Sequence, residues 1–399
     1  MQNCMVATMV TEDWKVGYVF EHCRLIPELS GGVGGEGISV AVDGGKITCV
    51  GKAAVEAPGE RIDCAGMTLL PGLFDSHAHL SYDYYNGKIR LNDFKLMISA
   101  CLSAKRYLAM GFTTIRDMGA PKRLSVHVRE AVRSGVFVGP RIVSGGMILR
   151  PTASDVPADP SCFLRYVSGA ADFERAAREE IGGGADFVKL YAPGEPCELL
   201  PEEMAAAVRI AHLRGKRVAV HAHDRIAIDM CLDCGADTIE HASHIGPAQI
   251  ERLRDGKAHI VPTLAVLSSE IPTPGFTKEQ KARMLRPLLE ANEKNITAAY
   301  KAGLVMGFGT DCDSTDLIAL PGLEFRMRRE HCGMSNIDML LQATKYSALI
   351  CGLEGVTGEI KPGYDADLIL VDGRPDEDIS AMYSLPRLVM ACGKVADKV

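Results

Sequence analysis

Residues 187–243 contain FVKLYA (187–192), PEEMAAAVRIAHLRG (201–215), RVAVHAH (217–223), RIAIDMCLDCG (225–235) and TIEHAS (238–243) in that order. The first, third and fifth segments are short apolar runs. The second and fourth place apolar residues at helical spacing and close on a glycine, where helices end. Strand, helix, strand, helix, strand in so short a stretch predicts parallel strands joined by crossover helices. The pattern continues in both directions. TLLPGLFDSHAH (68–79), FTTIRD (112–117) and RIVSGG (141–146) come before it, and HIVPTLA (259–265) and LVMGFGTD (304–311) after it. Helical patterns lie between the runs, as in 96–111, 173–184 and 277–303. Eight strand–helix repeats between about 66 and 352 predict an α/β fold of the (β/α)8 barrel type. A doubly wound open sheet is the alternative. No glycine-rich phosphate loop follows the first run, which counts against a dinucleotide site.

The two ends of the chain differ from this middle. GISVAVDGGKITCVG (37–51) sets two alternating runs around Asp43-Gly44-Gly45, a hairpin signal. Residues 356–373 and 385–395 have the same short apolar runs with Gly and Pro punctuation. Two β-rich ends therefore bracket the barrel region. The 399 residues are 47% hydrophobic and 24% charged, with a net charge of −7, and no run of like charges exists to bind nucleic acid or an anionic membrane. Thirteen cysteines without framework spacing suit a reducing, cytoplasmic setting, and Cys231 and Cys234 read as buried thiols on a helix. With no basic region before an apolar stretch at Met1–Met5, no secretory leader is expected, and no stretch is apolar enough to span a bilayer.

The chemistry-bearing residues gather at the C-terminal ends of the predicted strands, where barrels build active sites. His77 and His79 end the first, Lys189 lies on the fourth, His221 and His223 end the fifth, His241 the sixth and Asp311 the eighth. The i, i+2 spacing of His77 and His79 puts two imidazoles on one side of an extended segment, half of a zinc site. Lys189 inside an apolar run would be a costly unpaired charge. A desolvated amine of lowered pKa can instead take up CO2 as a carbamate, an anionic ligand able to bridge two cations.

PGLFDSHAHL (71–80), Lys189, HAH (221–223), IEH (239–241) and GTD (309–311) resemble, in order, the signature of the amidohydrolase superfamily. VDGGKITCVG (42–51), GFTTIRDMG (111–119), VPTL (261–264) and KPGYDADLILVD (361–372) are similar to its imidazolonepropionase-like and prolidase-like (Xaa-Pro dipeptidase-like) branch. The resemblance implies a barrel over 71–354 and a small β-sandwich made jointly by 1–70 and 355–399. It implies His77, His79 and Asp311 as ligands of a buried metal, His221 and His241 as ligands of a second, and carboxylated Lys189 between them. The choice of His221 over His223 stays open, and His223, Tyr191 and Arg150 are expected to face the substrate. It further implies two divalent ions, expected to be zinc, a bridging hydroxide with Asp311 as proton shuttle, and a homo-oligomer. The expected substrate is a small molecule with an amide bond, a dipeptide or N-acyl amino acid. A cyclic amide or lactone, a mononuclear deaminase and a non-catalytic barrel are the alternatives. One departure bears on the substrate: the Thr-Gly-Gly-His run of prolidase-like relatives is replaced by SGGMILRPT (144–152). Arg150 in that run could clamp a substrate carboxylate or pair with Asp155, with Arg225 as a second candidate clamp.

Overall fold

The computed structural model describes residues 17–81, 93–152, 164–192, 197–273 and 275–396. The N-terminal stretch and Asp155 lie outside the described residues. Among the described residues, five strands form before residue 72: β1 (Tyr18–Leu25), β2 (Gly35–Asp43), β3 (Lys46–Val50), β4 (Glu60–Asp63) and β5 (Thr68–Pro71). Nine follow in the middle: β6 (Leu73–Ala78), β7 (Phe112–Asp117), β8 (Arg141–Ser144), β9 (Ile148–Pro151), β10 (Leu164–Val167), β11 (Phe187–Tyr191), β12 (Arg217–Ala222), β13 (Thr238–His241) and β14 (His259–Val261). The chain closes with β15 (Leu368–Val371), β16 (Leu388–Ala391) and β17 (Lys394–Val395).

Strands from the two ends make one eight-stranded sheet in the order β17-β16-β15-β5-β1-β2-β3, with β4 also on β1. The hairpin forms where expected, with Asp43 opposite Lys46. Its turn needs left-handed backbone at both central positions, and Gly44 and Gly45 supply it at φ 56° and 79°. Residues far apart in sequence fill the core of this sheet: Phe20, Val40, Ile47 and Leu69 pack with Leu368, Leu370 and Met390. Burial of such apolar side chains, at about 1.5–3 kcal/mol each, holds the two ends together.

The middle region has a parallel three-stranded sheet, β6-β7-β8, and a parallel six-stranded sheet, β10-β9-β11-β12-β13-β14. Helices connect them as the periodicity predicts, among them Asp93–Ala109, Pro201–Leu213 and Lys278–Lys301. The helix Arg225–Cys234 is capped by the Asp224 carboxylate and ends on Gly235 at φ 80°, and Cys231 and Cys234 are free thiols upon it.

Two predicted runs behave differently. After β8 the chain turns at Gly145-Gly146 and adds β9, which pairs with both β10 and β11. The eighth run, 304–311, is not a continuous strand but makes isolated parallel bridges, Met306 to Ile260 and Gly309 to Thr263. The Gly307 carbonyl accepts from Arg328 Nη2 at 3.0 Å instead of from a strand neighbour. Gly307 N–H still donates to Ile260 O, Ser76 N–H to Phe308 O and Asp311 N–H to His77 O, so the run lies between β14 and β6. A side chain at Gly309 would put its Cβ 2.7 Å from that of His77. Only glycine permits this approach. No helix among the described residues is long and apolar enough to cross a membrane.

Candidate metal centre

The strand ends bring His77, His79, Lys189, Tyr191, His221, His223, His241 and Asp311 into one cluster. Within it, Asp311 Oδ1 lies 3.7 Å from His77 Nε2 and 3.6 Å from His79 Nε2. The rings of His77 and His241 are 4.7 Å apart, and those of His221 and His241 4.5 Å. Ligand atoms of His77, His241 and Asp311 fall within 4.8 Å of one another, as do those of His221, His223 and His241. Lys189 pairs in register with Ala219 and Tyr191 with His221, so Lys189, Tyr191 and His221 share a sheet face.

Backbone strain helps to aim the ligands. Glu240 and His241 are consecutive on β13 and would alternate faces, yet both meet His77. His241 has φ 70° and Ala242 φ 51°, a left-handed bend that redirects the strand end. Asp311, at φ 53°, sits at a similar bend. Asp75 fastens the adjoining backbone, accepting from His77 N–H at 3.1 Å and from Thr310 N–H and Oγ1 at 3.0 and 2.6 Å.

Four histidines of the cluster have Nδ1 engaged by an oxygen. His77 Nδ1 meets Glu240 Oε2 at 2.8 Å, His79 the Gly119 carbonyl at 3.1 Å, His241 Thr263 Oγ1 at 2.7 Å and His223 Ser243 Oγ at 2.9 Å. Such partners fix the tautomer and the orientation of each ring. His221 presents Nδ1 instead, 2.9 Å from His241 Nε2, close to the spacing of two nitrogens each about 2.0–2.1 Å from one ion. His223 stacks on His241 with ring planes only 12° apart. Nearly parallel rings do not converge their lone pairs, which favours His221 as the ligand.

Burial sets the charge states. It lowers His77 to about 3 and His79 and His223 to about 4, and takes His221 and His241 well below the ordinary histidine value. All five imidazoles are neutral, the form a metal requires. Burial would raise Glu240, but Arg116 and His77 overcome it and hold this carboxylate at about 2. Arg116 Nη2 donates to Glu240 Oε1 at 2.8 Å and Nε to Ser76 O at 2.7 Å. Burial raises Asp311 to about 7, although 18% of its side chain reaches solvent. Lys189 is 1% exposed, its Nζ has no hydrogen-bond partner among the described residues, and burial lowers it to about 8.

Arg150 lies on β9 with its guanidinium carbon 5.1 Å from the Tyr191 ring centre, and that ring stacks on His221 at 4.2 Å. The Arg150 Nε is buried without a hydrogen-bond partner among the described residues. Arg225, by contrast, donates to the His244 carbonyl at 3.2 Å. Nothing in the spacing of the motifs marks Glu240 or Arg116 as part of the site. The one available signal for Glu240 was a charged residue within an apolar run, the same signal that marked Lys189.

The amidohydrolase family model matches residues 68–395. The chain belongs to the amidohydrolase family. With that family it is an enzyme acting on carbon–nitrogen bonds, and the resemblance read from the ordered motifs holds. It is 28% identical over 359 residues to an ochratoxinase of Aspergillus niger, across 80% of this chain and 73% of that one. A prolidase solved with N-methylphosphonate-L-proline superposes with a TM-score of 0.84 at 27% identity, covering 95% of this chain and 99% of the other. A 5-methylthioadenosine/S-adenosylhomocysteine deaminase of Symbiobacterium thermophilum is 23% identical over 392 residues, 88% of this chain and 85% of that protein.

Proposed function

We propose that this enzyme hydrolyses the amide bond of a dipeptide or N-acyl amino acid at a pair of divalent cations, zinc by donor type. Lys189 carries this reading. A fully buried amine without a partner is unfavourable by several kcal/mol unless its charge is removed or paired. Conversion to a carbamate does both, because the new anion can lie between two cations. The residues fit such a pair: His77, His79 and Asp311 would hold one ion, His221 and His241 the other, and carboxylated Lys189 both. Ions in these positions supply an activated water and polarise the substrate carbonyl.

The protein's own groups do the rest. Glu240, kept ionised by Arg116, holds the His77 tautomer. The Asp311 carboxylate takes a proton from the attacking water and returns it to the leaving nitrogen. Arg150 beside Tyr191 meets a substrate carboxylate, a group also present in the proline ligand of the prolidase relative. His223, packed against His221 and His241, faces the substrate with them. We further infer that β6 to β14 and the run 304–311 are arcs of one closed (β/α)8 barrel over 71–354. Backbone bonds from that run to β14 and β6 support closure, as does the one from Asp186 N–H to Ser144 O. The end sheet is then the face of a composite β-sandwich of 1–70 and 355–399.

Deamination is the weaker reading, because the acid following HAH, Asp224, is occupied in capping its helix. The decisive experiment screens zinc-loaded enzyme against dipeptides, N-acyl amino acids, lactones and amino-heterocycles, with metal counted per chain. Amino acid release with about two ions supports the proposal, and ammonia release with one ion replaces it. Asp311→Asn should keep the fold and lower kcat by at least ~10². A kcat within a few-fold of the parent moves the proton carrier elsewhere.

A further inference from the structure

A cavity of about 500 Å³ opens at the opposite ends of the same strands. Its lining includes Arg141, Phe187 and Arg217, the first residues of β8, β11 and β12, whereas the histidines sit where strands end. The volume is within the ~300–1,000 Å³ typical of small-molecule sites. The walls are of two kinds. Val132, Phe137, Val138, Ile350 and Leu353 make an apolar side. Arg129, Arg133, Arg141, Lys216, Arg217 and Lys394 bring cations, with Arg116 reaching in from β7, and Asp186 is the one carboxylate of the lining among the described residues.

Several of these charges are already neutralised. Arg129 pairs with Asp186, Arg141 Nη2 holds Asp365 and Asp367 at 2.7 and 3.2 Å, and Arg116 holds Glu240. Others are not. Lys216 has no ion pair among the described residues. Arg217 donates to the carbonyls of Leu349 and Ile350 at 2.6 and 2.5 Å and meets no carboxylate there. Arg133 reaches Glu130 only at 3.5 Å with both side chains more than half exposed, an arrangement of little energetic weight. Arg141, although its charge is neutralised, keeps its Nε buried without a hydrogen-bond partner among the described residues. A chain of net charge −7 thus concentrates unneutralised positive charge beside an apolar wall at one recess.

We propose that this recess is a second ligand site, for a small organic carboxylate with an apolar body. The carboxylate meets Arg133, Lys216 and Arg217, and the body lies on Phe137, Val138 and Ile350. Charge-assisted hydrogen bonds supply orientation and the apolar wall supplies contact area. The proposal does not depend on the hydrolytic reading of the histidine cluster.

Calorimetric titration of the zinc-loaded full chain with naphthalene-1-acetate tests it. One saturable site per chain is expected, at least tenfold weaker for the neutral 2-(1-naphthyl)ethanol. Arg133→Glu/Lys216→Glu should weaken naphthalene-1-acetate at least tenfold. Val138→Asp, which places a carboxylate in the apolar wall, should do the same in case the double variant folds poorly. Parent protein stripped of metal by a chelator should bind as the zinc-loaded protein does. The proposal is overturned by absence of saturable binding, by equal affinity in both wall variants, by equal affinity for the alcohol, or by loss of binding on metal removal, which would put the probe among the histidines.

Discussion

Lys189 and Arg328 are both buried to 1% exposure or less, and their surroundings differ completely. Arg328 donates to Glu324 at 2.6 Å, to Gln342 at 2.5 Å and to the carbonyls of Pro262 and Gly307 at 2.8 and 3.0 Å. It also lies 4.9 Å from the centre of the Phe308 ring. Lys189 Nζ has no hydrogen-bond partner among the described residues. A buried charge that serves the scaffold is surrounded by acceptors, because each missing bond would cost folding free energy. One left without acceptors, beside five neutral imidazoles and a carboxylate, is set aside for chemistry.

The largest expected effect breaks the contrast on the catalytic side. Lys189→Ala should lose nearly all bound metal and reduce turnover to background, with partial recovery in added bicarbonate or short carboxylic acids. Full metal occupancy, measured by atomic absorption alongside activity, would count against a carbamate. On the scaffold side, Arg328→Met leaves Glu324 buried and unpaired and should destabilise the fold by about 3–5 kcal/mol in urea unfolding. A loss below about 1 kcal/mol would mean that the network around Arg328 relaxes without it.

The contrast sharpens with pH. Folding lowers the Lys189 amine from 10.5 to about 8, so below pH 8 it is charged in both states and its full penalty is present. That penalty fades as pH rises from 8 towards 10.5. In metal-free protein under CO2-free buffer, Lys189→Met should therefore be more stable than the parent by about 3 kcal/mol at pH 7. The gain should shrink by pH 10. A difference that does not vary with pH would show that Lys189 is not charged in the metal-free fold. The smallest effect concerns Arg150. Arg150→Ala should raise KM by roughly ten- to a hundredfold for carboxylate-bearing amides, about 1.5–3 kcal/mol, and leave their esterified analogues almost unchanged. Equal effects on both would exclude a carboxylate clamp.

Local pattern made much of this legible. The apolar runs, their glycine stops and the histidines at their ends depend on neighbours within a few residues, as does the Gly44-Gly45 turn. The missing parts depend on distance along the chain. Glu240 draws its meaning from Arg116 and His77, on two other strands. The run 304–311 is apolar enough for a strand, but Arg328 takes one of its carbonyls. The cations of the second recess come from separate stretches, none dense enough in charge to stand out. Ile148–Pro151 is too short, and too interrupted by Arg150 and Pro151, to announce itself as β9.

The sheet built from both ends of the chain sets an order of events during synthesis. β5 pairs along its length with β15, Leu70 opposite Ile369, about 300 residues further on. At 5–20 residues per second, a ribosome takes roughly 15–60 s to make the intervening chain. For that interval β5, buried at all four positions in the finished protein and apolar at three of them, has an open edge that could accept a strand from another nascent chain. Yield at high expression should therefore be governed by the waiting time of this edge rather than by the stability of the completed fold.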